Sequence, residues 1–275
     1  YLCVGTSPAQ AYGRAMAKVG EVGKLSLTIT DSDGKGIATA RVDFQRDGKS
    51  IPAFPDEKGK IEISLPLGQW QISAQDNGRE TIESIISINK EDINKEKITL
   101  GEQAGVYFII TKENGEPTPC KAQIIGVEGT PSPKLGPVDR AHGCVDQYHS
   151  EDGKFSIGLI PGKYKIIVTR GIEHDHFEKM IEVKKGVFEK IETSLKRSVA
   201  TPGWVSTDFH NHSTPSGDNV CGTPDRLINL AAEHIEFAPT TEHNRIMDWT
   251  STIQSLGLER EISTIPGMAA TGSGP

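Results

Sequence analysis

Short runs in which every second residue is apolar fill the first two hundred positions. In GKIEISLPLGQWQISA, which begins at Gly59, Ile61, Ile63 and Leu65 alternate with polar neighbours, the period of a strand with one buried face. The pattern returns in GKFSIGLIPGKYKIIV, which begins at Gly153. The two pieces align without a gap: Gly59 with Gly153, Ile61 with Phe155, Ile63 with Ile157, Leu65 with Leu159, Gly68 with Gly162 and Trp70 with Tyr164. PLG and IPG supply the turn between two strands. Upstream, LSLTITDSDG matches VYFIITKENG, and IATARVDF matches TPCKAQII as the next strand. ESIISINK and EKMIEVKK close the copies. Turn signals at this spacing predict two small antiparallel β-sandwiches, residues 23–101 and 102–200, behind an extension of residues 1–22. No amphipathic helix is expected before residue 200.

The pattern changes in residues 201–275, after the linker-like SVATPG. WVSTDFHNHS reads as a strand. TPDRLINLAAEH reads as a helix, with Thr223 as N-cap and Pro224 at the first helical position. IEFAPTTEHN is a second strand, RIMDWTSTIQSLGL a second helix and ISTIPGMAAT a third strand. Strand, helix, strand, helix, strand predicts a parallel α/β arrangement.

The second copy carries extra residues between Gly115 and Gly153, including GVEGTPSPKLGPVDRAHG, and Cys120 and Cys144 flank them. A disulfide there would staple a Gly/Pro-rich loop and stabilise by roughly 3 kcal/mol; the alternative is two free, half-buried thiols. The remaining cysteines are Cys3 and Cys221, and no CxxC pair exists to suggest a zinc ribbon.

Composition narrows the function. The chain has 275 residues, length for two or three domains. A net charge of −7 without a Lys/Arg block argues against nucleic acid or an anionic membrane surface as partner. No apolar run is long enough to span a bilayer. The sequence opens on Tyr1 without a signal-peptide pattern and stops abruptly after GMAATGSGP, as expected of a processed chain or a fragment. A periplasmic, cell-surface or secreted location is expected.

The candidate chemistry lies in STDFHNHSTPSGDN, Ser206 to Asn219. His210 and His212 occupy alternate positions at a strand end, so both point to one side. Glu242 and His243 end the next strand, and Asp218 follows the first in a loop. Residues at the C-terminal ends of parallel strands converge on one mouth. His210, His212, Asp218 and His243 therefore form a candidate site for a divalent ion, with N and O ligands that suit Zn, Mn or Fe. Two histidines alone would read as ordinary polar residues at a strand end; Asp218 and His243 tip the balance. Asn211 heads a formal glycosylation sequon that reads as accidental inside this cluster. A second pair, His174 and His176 around Asp175, has no third ligand nearby in sequence and reads as a solvated loop.

Two resemblances add to this reading. The opening DGKGIATARV and the GKIEISLPLGQWQI hairpin make residues 23–200 similar to carboxypeptidase regulatory-like, or transthyretin-like, domains, which implies sandwiches used as spacers or interaction modules. DFHNHSTPSGDN followed by TTEHN resembles the PHP metallohydrolases, closest to the CehA/McbA-like branch, over Gly203 to Pro275. That resemblance implies the first three or so β/α units of a distorted barrel. It also implies His210, His212, Asp218 and His243 as ligands, with Asp208 and Glu242 as supporting groups beside them. The implied reaction is attack of metal-bound hydroxide on a small-molecule ester, carbamate or phosphoester. There are departures. Glu242 stands where the family prefers Asp, and Ala269 stands where it places a metal-bridging Glu. The expectation is an extracytoplasmic hydrolase seen as an incomplete fragment, binding at most one ion and inactive by itself. The alternative is a non-catalytic surface or assembly protein that self-associates through its β-domains. A pair of carbohydrate-binding modules is a weaker third reading.

Overall fold

The structure, a computed structural model, describes residues 2–18, 20–90 and 93–272. It divides into two compact units, one built on residues 1–105 with 157–161 and 184–187, the other on the remainder.

The first unit is a two-sheet sandwich of seven strands: β1 Val22–Thr30, β2 Arg41–Arg46, β3 Lys49–Ala53, β4 Lys60–Pro66, β5 Gly68–Gln75, β6 Ile82–Ile88 and β7 Asn94–Thr99. Its sheets have the orders β4-β1-β7 and β3-β2-β5-β6. Alternation sets the register. Leu25 pairs with Ile63 and Leu27 with Ile61, so one apolar face of each strand meets the core. Full burial of a Leu or Ile is worth about 1.5–3 kcal/mol, and slipping by one residue would expose the set. One pairing departs from the antiparallel expectation: β7 runs parallel to β1, with Ile98 beside Ile29.

This unit also holds an unexpected helix, α1 Pro8–Met16. Ser7 caps it, its side chain accepting from the Gln10 amide at 3.2 Å, while Gln10 Oε1 accepts from the Thr6 amide at 2.8 Å. Ser-Pro-Ala-Gln is a helix-start signature. The small residues behind it gave too narrow an apolar stripe to register as amphipathic.

The second unit repeats the plan with β8 Gly105–Lys112, β9 Cys120–Val127, β10 Gln147–Ser150, β11 Lys154–Gly158, β12 Gly162–Thr169, β13 Phe177–Val183 and β14 Phe188–Leu195. The orders are β11-β8-β14 and β10-β9-β12-β13, strand for strand those of the first copy. Trp70 and Tyr164 are both third in their strands and buried. The extra residues replace the tight turn that joins β2 to β3.

The expected Cys120–Cys144 disulfide is absent, and both thiols are free. Cys120 pairs with Ser150 at one end of the β9–β10 ladder, whereas Gln147 pairs with Gln123 and Cys144 lies past it. Three residues of strand already separate Cys120 from Gln123 by about 10 Å, beyond the Cα separation a disulfide tolerates. Burial pushes the Cys120 thiol up to about 12, so it is inert.

Residues 201–272 belong to the same compact unit as the second sandwich. Parallel bridges join Thr207 to Phe237, Phe237 to Ser263 and His243 to Ala269. Between them run α2 Thr223–Ala232 and α3 Thr250–Ser255. The strand-helix alternation is thus present with very short parallel pairings. Thr223 is the first residue of α2 and Gly222 its N-cap, one position from expectation. The second helix is shorter than its apolar pattern suggested, because Met247 bridges antiparallel to Gly267 before it begins. Leu227, Leu230, Ala238, Trp249, Ile253 and Leu258 form a small core here. Ion pairs tie this segment to the second sandwich: Glu261 meets Lys112 at 2.6 Å and buried Arg170 at 2.5 Å. Glu233 pairs with Lys121.

Candidate metal site

The site sits where the first two parallel segments end. The backbone bends away after Asp208, whose Oδ1 accepts from the His210 amide at 3.0 Å. Asp208 therefore shapes the chain entering the His pair rather than touching an imidazole. Asn211 is buried, its side chain donating to the Asp208 carbonyl at 3.0 Å, so the sequon is closed to modification. A single 3-10 turn, Thr214–Ser216, follows and ends on Gly217 at φ 77°.

Glu242 organises this loop. It is fully buried and accepts from the Ser213 amide at 3.1 and 3.0 Å, and from the hydroxyls of Ser213 and Ser216. One backbone amide and two hydroxyls thus converge on a single buried carboxyl group, which ties the Ser213–Ser216 turn to the end of the second parallel segment. Ser216 Oγ is also 3.1 Å from His212 Nδ1 and accepts from the His243 amide at 3.1 Å. A serine hydroxyl has one proton, and here it goes to Glu242. His212 Nδ1 must then carry its own proton and donate it, which leaves the Nε2 lone pair free for a metal. Neither serine was singled out by sequence, although both stand in the Ser-Thr-Pro-Ser-Gly turn beside the histidines.

His212, Asp218 and His243 each offer one ligand atom, all within 4.8 Å of one another. The His212 and His243 rings stack at 4.4 Å between centroids. His243 Nε2 lies 2.9 Å from Asp218 Oδ2, while its Nδ1 is buried without a partner. Asp218 is held below the ordinary carboxylate range: desolvation, the largest single influence, opposes this, but the hydrogen bonds from Asn219 and His243 together with the other lowering contacts outweigh it. Two imidazoles and an ionised carboxylate are a chemically suitable set for one Zn²⁺, Mn²⁺ or Fe²⁺. His210 falls outside the group, its ring 5.0 Å from that of His212 and exposed. Ala269 is joined to the site directly: its amide donates to the Glu242 carbonyl at 3.0 Å and its carbonyl accepts from Asn244 at 2.9 Å. The position that the family resemblance assigns to a bridging carboxylate is thus beside His243 and carries a methyl group.

The other histidine pair is not a solvated loop throughout. His176 is exposed, but His174 packs edge-on against His234, 4.8 Å between centroids. Burial, aided by the nearby Arg170 charge, drives His174 down to about 4.

No family model matches the chain, and no curated protein matches it. The PHP resemblance therefore rests on its motifs alone. Among solved structures, the shaft pilin SpaA of Lactobacillus rhamnosus GG is 11% identical over 66% of this chain and all of its own, with a TM-score of 0.36. The minor pilin GBS52 of Streptococcus agalactiae is 13% identical over 67% of this chain and 99% of its own, at 0.30. The Bacillus anthracis TIE protein is 13% identical over 70% of this chain, at 0.30, and the match spans only 37% of that protein. TM-scores this low carry no argument about function.

Proposed function

We propose that this protein is a non-catalytic, extracytoplasmic β-sandwich protein that binds one divalent transition-metal ion through His212, Asp218 and His243. The observation that carries the reading is the convergence of those three ligands on a loop held by buried Glu242. Each sandwich supplies a scaffold of its own and a surface for interaction. No helix among the described residues is long and apolar enough to cross a membrane.

A second reading, metal-dependent hydrolysis of a small ester or phosphoester, is favoured by the parallel β/α segment beneath the histidines. A metal ion would supply an activated water there. Against it stands Ala269, which offers no second carboxylate at the position adjoining His243.

Zinc titration of the intact chain after chelation and dialysis tests both. One ion per chain, lost in H212A and H243A, is expected, with no turnover of an aryl ester or a generic phosphodiester. Failure to bind any ion would overturn the proposal. Binding of two ions with robust turnover would replace it by the hydrolase.

A further inference from the structure

A cavity of about 330 Å³ opens between the inserted loop of the second sandwich, β9 and α2, all within one compact unit. Two cysteines from distant parts of the sequence line it, Cys144 on the loop and Cys221 just before α2. Cys144 is partly exposed and Cys221 is buried at 2% exposure. The loop is held against this part of the molecule at Arg140 and Ala141. Arg140 reaches Asp225 at 3.6 Å, and the backbone amide of Ala141 faces the Cys221 sulfur. Residues 141–143 are a run of bends rather than a strand, and they bring Cys144 round to line the same cavity as Cys221. The loop is itself pinned, Leu135 donating to the Val145 carbonyl at 2.7 Å and Val145 to the Gly136 carbonyl at 3.0 Å. Val145 takes a left-handed conformation, φ 48°, which is unfavourable for a β-branched residue and requires such pinning.

From this juxtaposition we infer that Cys144 and Cys221 form a redox-sensitive pair, joined by thiol–disulfide exchange with a small-molecule disulfide. The partly exposed Cys144 thiolate attacks one sulfur of that disulfide, breaks its S–S bond and forms a mixed disulfide, releasing one thiol. The Cys221 thiol, raised by burial but reached through the cavity it lines, then displaces the second thiol, its proton passing to that leaving thiolate, and completes the Cys144–Cys221 bond. Two electrons pass from the cysteines to the small disulfide, and the two cysteine protons end on its two thiols. Cys120, Cys144's sequence-suggested partner, is excluded by the β9–β10 register.

Cys221 also anchors the metal-binding loop. Its carbonyl accepts from the Thr214 amide at 2.8 Å and its amide donates to Asn219 Oδ1 at 3.0 Å. Oxidation would thus clamp both ends of the turn that carries Asp218 to the second sandwich.

The test is incubation of the intact protein with oxidised glutathione, followed by alkylation and non-reducing peptide mapping. A tryptic species joining residues 141–154 to 198–226 is expected. The second unit should gain about 5–10 °C in melting temperature, a gain absent in C144S and in C221S and retained in C3S. A linkage of Cys144 to Cys120 would overturn the inference. So would stable glutathione adducts, or unmodified thiols, with no 144–221 species under conditions that fully oxidise a reference dithiol.

Discussion

Glu242 shows how much one buried side chain decides. Its carboxylate accepts from the Ser213 amide and from the hydroxyls of Ser213 and Ser216, and through Ser216 it sets the proton on His212 Nδ1. Glu242→Gln keeps the shape but replaces an acceptor oxygen by an NH₂ that faces hydrogen-bond donors. The variant is expected to lose about 1–3 kcal/mol of stability in denaturant unfolding and about 10- to 100-fold in zinc affinity by competition titration. Ala269 is the opposite case, a residue conspicuous for what its side chain lacks. The sequence exposed it because a motif assigned the position. It could not show that position 269 adjoins His243 in a parallel bridge, since that pairing spans a helix.

At the scale of elements, the repeat was legible because strands that share a fold share their apolar spacing and turn glycines. Gly59 and Gly153 make the point. Each has φ 77°, and a Cβ would stand 2.2 Å from the carbonyl oxygen of Ile29 or Ile110. The carbonyl oxygens of the two glycines accept from those same isoleucines at 2.8 and 2.9 Å. Gly59→Ala and Gly153→Ala are each expected to cost at least about 2 kcal/mol, read as a lower denaturant midpoint of the affected sandwich. What sequence missed has physical causes too. α1 buries fully only the small residues Ala9 and Gly13, so its cap rather than its stripe marks it. The Cys120–Cys144 pairing followed from loop flanks, but flanks of a long insertion need not meet when the ladder continues past one of them. Spacing singled out His210, His212, Asp218 and His243 as candidates; the last three come together and His210 does not. Their support by Ser213, Ser216 and Glu242 depends on a loop folding back, which no period in the sequence records.

The whole second unit should respond to acid. His149 is buried and pushed down to about 4, chiefly by desolvation and then by the Lys121 and His142 charges; His174 is shifted similarly. The unfolded chain, with histidines near their ordinary 6.5, binds more protons than the folded one between about pH 4 and 6.5. Stability therefore rises with pH across that window and is lost as pH falls through it. His149 contributes at most about 3 kcal/mol. Thermal unfolding of the intact protein at a series of pH values should show this fall, and His149→Asn should make it shallower. The first unit differs in another respect, set by the parallel run of β7 beside β1. Leu25 to Thr30 lie along Asn94 to Thr99 in the same direction, so the sandwich's first and last strands are direct neighbours. Tension that enters at the start of β1 and leaves at the end of β7 pulls the two strands along their length in opposite senses. Every hydrogen bond between them is then loaded at once, and none can be opened one by one like a zip. A domain with this connection resists stretching between its termini through the whole β1–β7 ladder at once, so its resistance to pulling is set by that ladder and not by its overall stability alone.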